Sequence, residues 1–258
     1  MGFISKFNTV SWYLRRPRYY PQLFSLVKNR VFGAQKLENT RKESEQWCQE
    51  RSMTTYNFFQ KIAPNLQFKK VEENFPDDFA FAKSKEEASP VKMGGAGNID
   101  LIYNLCEHIQ AKKAVETGVA YGWSSLSILL SLEKRNDTLL ISTDLPYAKM
   151  NNEDFVGCVV PQRLHSKWKL VRDPDRVALD TVLSEIGTLD LCHYDSDKSY
   201  AGRMFAYPKI WKALRKGGIL ISDDIQDNIG FKVFCERIKM EPYIISFENK
   251  FVGVMEKN

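Results

Sequence analysis

Two acidic segments hold the residues whose types and spacing could do chemistry. In CHYDSDKSY, residues 192–200, a hydrophobic run gives way to Asp195, Ser196, Asp197 and Lys198 in a row. Further on, ILISDD ends in Asp223 and Asp224. If both segments are neighbouring strands, about 4.8 Å apart, their carboxyl ends bring Asp195, Asp223 and Asp224 to one rim. Such crowding is unfavourable unless a cation or a proton is shared. A hard divalent ion, Mg²⁺ or alternatively Ca²⁺ or Mn²⁺, would satisfy the three with oxygen ligands. The plainer alternative has Asp224 capping the next turn and Asp223 accepting from backbone amides. Lys198 has its own plain alternative, an exposed helix-start lysine paired with Asp195 or Asp197 and worth little. His193 lies inside the strand and reads as a packed core histidine on the face opposite Asp195.

A second constellation is AVETGVAYGWSS, which puts Glu116, Gly118 and Gly122 at the exit of an apolar run. In an open α/β sheet, ligands bind beyond the carboxyl ends of the strands where strand order reverses. Glycines there let the backbone approach a cofactor, and the following helix offers free N–H groups. Asp144, 22 residues past Gly122, ends the next apolar run, a position suited to ribose hydroxyls. The spacing E-T-G-x-x-x-G departs from GxGxxG, the pattern that cradles a pyrophosphate. It favours a nucleoside cofactor without one, S-adenosylmethionine (SAM), over a nicotinamide dinucleotide.

The elements that must position these residues can be read in turn. A helix near 98–110 leads to the strand KAVETGV, and a helix from about Ser124 to Leu132 leads to TLLISTD. WKLV is a third strand, a helix covers about 175–186, and LDLCHYD is the fourth strand. A helix through FAYPKIWKALRK stops at Lys216-Gly217-Gly218 before ILISDD, the fifth. YIISFENKFVGVM reads as two strands around a Glu248-Asn249 turn. Short apolar runs alternating with amphipathic helices predict a parallel sheet with crossovers. The expected fold class is therefore α/β: a Rossmann-like, seven-stranded, mostly parallel sheet with a C-terminal antiparallel hairpin, helices on both faces and an N-terminal helical extension.

Composition sets the boundaries. Residues 1–37 are a basic, aromatic arm, 38–92 a helical extension and connector, and 93–258 the α/β domain. No acid precedes Glu38, while Lys6, Arg15, Arg16, Arg18, Lys28, Arg30 and Lys36 all fall in the arm. The net charge of +5 thus leaves the body near −2, and a nucleic-acid partner is not expected. The five scattered cysteines form no CxxC pair, which argues for a reducing compartment. Without an apolar run near 18 residues or a signal-peptide core, a cytoplasmic protein is expected. Two readings of the arm stay open. It docks on the α/β domain or on a second subunit in a homodimer, or it attaches peripherally to the anionic inner face of a membrane.

VETGVAYGWSS, LRKGGILISDD and the terminal hairpin together resemble the class I SAM-dependent methyltransferases. The likeness is to bacterial relatives of the catechol and caffeoyl-CoA O-methyltransferases and covers about residues 90–258. It implies that Glu116, Gly118 and Gly122 line the methionine side of SAM with Ser124 nearby, and that Asp144 takes the ribose hydroxyls. KMGGAGN, with Met93 and Gly94, would close over the cofactor. Asp173 would meet the adenine amino group, its alternative being an N-cap before Pro174. In these enzymes a metal is held by an Asp and an Asp-Asn pair; here the pair is Asp223-Asp224. The resemblance makes Lys198 the catalytic base, taking a proton from an oxygen nucleophile if its own pKa is depressed.

The acceptor would be a small molecule or a glycan. LPYAKMNNEDFVGCVVPQRLHSK, with Tyr147, Met150, Phe155 and Pro161, could form a lid over it, and Trp123, Tyr200 or QDNIGF could reach it. The rivals are a metal-independent methyltransferase of a glycan or natural product and a non-catalytic scaffold that keeps the fold.

Overall fold

A computed structural model of the chain describes residues 12–32, 34–146 and 152–258. Its centre is one eight-stranded sheet. The strands are β1 (Ser52–Met53), β2 (Lys113–Thr117), β3 (Leu139–Thr143), β4 (Trp168–Val171), β5 (Leu189–Tyr194), β6 (Leu214–Ser222), β7 (Tyr243–Phe247) and β8 (Lys250–Glu256). They lie in the order β1-β7-β8-β6-β5-β2-β3-β4. Only the pairings of β8, with β6 and with β7, are antiparallel.

Parallel strands with both faces covered read as continuous apolar runs, and these do. Leu191, Ile219 and Ile221 enter one core, while Cys192, Tyr194 and Leu220 enter the other. The helix Trp123–Leu132 is buried nearly all round. Its serines are paired accordingly: the hydroxyl of Ser127 donates to the Ile99 carbonyl at 2.6 Å and that of Ser131 to Glu107 at 2.7 Å.

Three local expectations change. The extension is broken at Ser52–Met53, whose two residues pair in parallel with Ile244 and Ile245 and supply the eighth strand. The stretch expected as a connector contains the helix Pro76–Glu87, with Pro at its start and Asp77 and Asp78 in its first turn. Lys216-Gly217-Gly218 is no helix stop: the helix Tyr200–Ala213 ends earlier and these residues lie inside β6. Gly217, at φ +68°, instead donates its N–H to the Lys257 carbonyl at 2.6 Å.

Chain order reverses between β2 and β5, which are neighbours while β3 lies on the other side of β2. Every residue singled out for chemistry except Met93 and Gly94 lies within a few residues of the carboxyl end of β2, β3, β4, β5 or β6. No helix among the described residues is long and apolar enough to cross a membrane.

Candidate active site

At the end of β2 the backbone turns at Gly118, φ +84°. A Cβ there would stand 2.5 Å from the Asp195 carbonyl oxygen, so β2 and β5 could not deliver their loops side by side with any other residue. Gly122, φ +99°, starts the next helix in contact with Gly157. The end of β3 braces this turn: Asp144 Oδ2 accepts from the N–H groups of Val119 and Ala120 at 2.9 and 3.2 Å.

Three cavities meet at Asp195. The first, about 220 Å³, is bordered by Gly118, Asp144, Asp175, Asp195 and Ser196. The second, about 40 Å³, lies between the Gly94–Asn98 loop and Gly118, Gly122, Ser124, His193 and Asp223. The third, about 290 Å³, is bordered by the same Gly94–Asn98 loop, Asp195, Lys198, Asp223, Asp224 and the hairpin residues Phe247 and Lys250. Buried polar atoms around them face charged groups: Asp144 Oδ1 lies 3.5 Å from Arg172 and Asp195 Oδ1 2.8 Å from Lys198, while the His193 nitrogens face Glu116 Oε1 and Asp223.

Of the expected site residues, Gly118, Gly122, Ser124, Asp144, Gly94, Asp195, Lys198, Asp223 and Asp224 come together on these walls. Met93 stands just outside, donating its N–H to the Tyr121 hydroxyl at 3.2 Å. Glu116 is fully buried behind the cavities, where Oε2 accepts from Ser125 and, at 2.7 Å, from Ser142. Asp173 is neither an N-cap nor a wall residue; it is paired with Arg18 of the arm at 2.7 Å. Asp175, which sequence reasoning passed over as a helix start, is a wall residue. It accepts from Thr143 at 3.1 Å and from Ser196, and burial pushes its carboxyl up to about 6.

His193 requires a correction. It stands two positions before Asp195, so it shares that residue's side of the strand instead of opposing it. Its ring sits between Glu116, 3.6 Å from Nδ1, and Asp223, 3.5 Å from Nε2. Burial alone would lower its pKa, but Asp223 and Glu116 outweigh burial and raise it to about 10. With Trp168, whose indole N–H donates to Ser142 at 2.9 Å, these side chains form a row across the sheet: Trp168, Ser142, Glu116, His193, Asp223.

The acid rim also departs from expectation. Among the described residues no group of three or more His, Cys, Asp or Glu side chains is disposed to hold a metal. Asp224 has a left-handed backbone, φ +50°, and its carboxylate is held by Lys198 and, at 3.2 Å, by Lys250 from the hairpin. Lys198 also lies 2.8 Å from Asp195. Ammonium groups occupy the place expected for a divalent ion, and the donor set does not fit one. Burial would lower the Lys198 pKa, yet Asp195 and Asp224 hold it above the ordinary lysine value. Its ammonium is thus stabilised, the reverse of what a lysine base requires. Asp195 shares that ammonium but also faces Asp223, and burial together with the second carboxylate raises it to about 6.

The lid expected over the acceptor lies partly outside the described residues, Tyr147 and Met150 included. Its described part is a buttress. Gly157 and Val159 donate their N–H groups to the carbonyls of Ala120 and Tyr121, behind the glycine turn and away from the third cavity. Trp123 borders the second cavity and is fixed there by Glu86, to which its indole N–H donates at 2.8 Å, and by Phe79. The segment after Asp224 holds the lysine loop from behind, Asn228 donating to the Lys198 carbonyl at 2.7 Å.

A switch-point site of this shape on this sheet resembles those of known methyltransferase domains, and comparison with known proteins points the same way. Residues 115–225 match the family model described as a methyltransferase domain. A curated mouse relative, catechol O-methyltransferase domain-containing protein 1, is 29% identical over 122 residues. That match spans 46% of this chain and 44% of the relative. The O-methyltransferase TomG from Streptomyces achromogenes, solved with SAM, has the same fold at a TM-score of 0.52 and 15% identity, over 84% of this chain and 99% of that one. A methyltransferase from Podospora anserina, solved with S-adenosylhomocysteine, follows at 0.53 and 14%, over 73% and 92%. The likeness to the catechol type, read from the motifs, has its counterpart in the mouse relative.

Proposed function

We propose that the chain is a SAM-dependent O-methyltransferase, acting on a hydroxyl of a small molecule or sugar without a catalytic divalent ion. The observation that carries this reading is the meeting of three cavities at Asp195, two suited to the cofactor and one to the acceptor. Asp144, whose Oδ1 lies 3.5 Å from Arg172 and which borders the first cavity, would accept from ribose hydroxyls, and Gly118, Gly122 and Ser124, which border the second, would face the methionine end. SAM, when bound, supplies an electrophilic methyl group carried on a positively charged sulfur.

The chain's own task is to hold an acceptor hydroxyl in line and to remove its proton. Asp195, raised to about 6 and so ionised at neutral pH, is the better proton acceptor. The Lys198 ammonium, fixed by Asp224, is placed to orient the acceptor oxygen and to stabilise negative charge on it. Activity is expected to fall as pH drops through about 6, where Asp195 takes up a proton.

Two measurements test this. Calorimetry should show binding of SAM and S-adenosylhomocysteine; binding of neither removes the enzyme reading and leaves the scaffold. Methyl transfer should survive dialysis against EDTA, whereas loss restored by Mg²⁺ would reinstate a metal at Asp195, Asp223 and Asp224.

A further inference from the structure

The first cavity has a wall that the catalytic domain does not provide. Gln22 and Leu26, on the arm helix Tyr20–Phe32, border it together with Gly118, Asp144, Asp175 and Asp195. Arg18, Gln22 and Leu26 are spaced by four, so they share one side of the arm. That side is docked. Arg18 pairs with Asp173 just past β4, and the Tyr19 hydroxyl donates to the Arg172 carbonyl at 3.2 Å. Gln22 is 5% exposed although it lies on a surface helix, whereas Phe24 on the outer side is 66% exposed. To a cavity bordered also by Asp144, Asp175, Asp195 and Asp197 the arm contributes one amide and one aliphatic side chain, Leu26 keeping 41% of its surface exposed.

We infer that Gln22 and Leu26 are cofactor-contacting residues, the arm helix completing the nucleoside end of a site whose remaining walls belong to the catalytic domain. The Gln22 amide offers both a donor and an acceptor, the combination that the edge of a purine ring requires. Leu26 offers apolar surface to the ring's face. Asp173 then serves the cofactor indirectly, as the anchor for Arg18. The inference rests on the reading that SAM binds in these cavities.

The test is calorimetric titration of the full chain with S-adenosylhomocysteine. Q22A and L26A are each expected to weaken binding about fivefold or more, while F24A stays within about twofold of the unaltered protein. If the unaltered protein binds and all three variants match it, this inference is overturned and the methyltransferase reading stands. If the unaltered protein does not bind, that reading itself fails, and this one with it. Hydrogen exchange on the unaltered protein needs no variant to fold. Amides of residues 20–28 should gain protection with ligand alongside those of residues 118–124. Protection confined to the glycine turn would also overturn the inference.

Discussion

Asp175 pays for its place beside the first cavity. Its folded pKa of about 6 lies above the unfolded value of 3.8, so its favourable contribution is complete below pH 3.8 and lost as pH rises through about 6. At neutral pH the ionised group is a net cost, which hydroxyls of Thr143 and Ser196 only partly offset. D175N should therefore raise stability at pH 7 by about 1–3 kcal/mol, a gain that disappears below pH 4 in urea titrations at the two pH values. Lys198 gives a sharper test of role. As an oriented ammonium it should be replaceable by arginine with modest loss, while K198M should lose about a hundredfold in turnover. Arginine cannot serve as a base, so K198R as poor as K198M would restore Lys198 to proton transfer. Asp195 and Lys198 were legible as a site because four polar residues abruptly end an apolar run. His193 was legible too, since a spacing of two puts it on Asp195's side, but a lone buried histidine reads first as packing.

The turn after β6 shows how one element sets the rim. Arg203, fully buried, donates to the carbonyls of Asp223 at 3.1 Å and Asp224 at 2.7 Å, with Ile225 at the edge of reach at 3.5 Å. Ser44 of the extension donates to Ile225 and Asn228 from the other side, at 2.9 and 3.1 Å. Together they stabilise a turn containing a left-handed Asp224, a conformation disfavoured for any residue with a Cβ. R203M is expected to cost about 3 kcal/mol in chemical denaturation and to lower turnover by displacing Asp224 from Lys198. The strands were readable because double-sided burial leaves uninterrupted apolar runs with turn residues at their ends. Ser52–Met53 was not, since two residues carry no period. The backbone twist of Asp224 was not either, since it is imposed by an arginine 21 positions earlier.

Across the whole molecule the extension and the sheet share their interiors. Phe58, Phe59, Val71 and Ala82 are buried with Leu101, Leu126 and Ile221 in one cluster, and Cys48 with Leu179 and Tyr207 in the other. Tryptophan emission and far-ultraviolet dichroism are therefore expected to report one coincident unfolding transition. A separate early loss of signal from the extension would contradict this. The charge asymmetry of the arm was plain in the sequence, but its destination was not. Arg18 meets Asp173 across 155 positions, and Lys250 reaches Asp224 from a hairpin, pairings that only the folded topology creates.

The row from Trp168 through Ser142, Glu116 and His193 to Asp223 gives the sheet an unusual property. Its dipoles and charges are chained, in a dry interior where fields are weakly damped, from the edge strand to the acceptor cavity. A change at Trp168, on the far edge of the sheet, would therefore reach Asp223 through polar contacts as well as through packing.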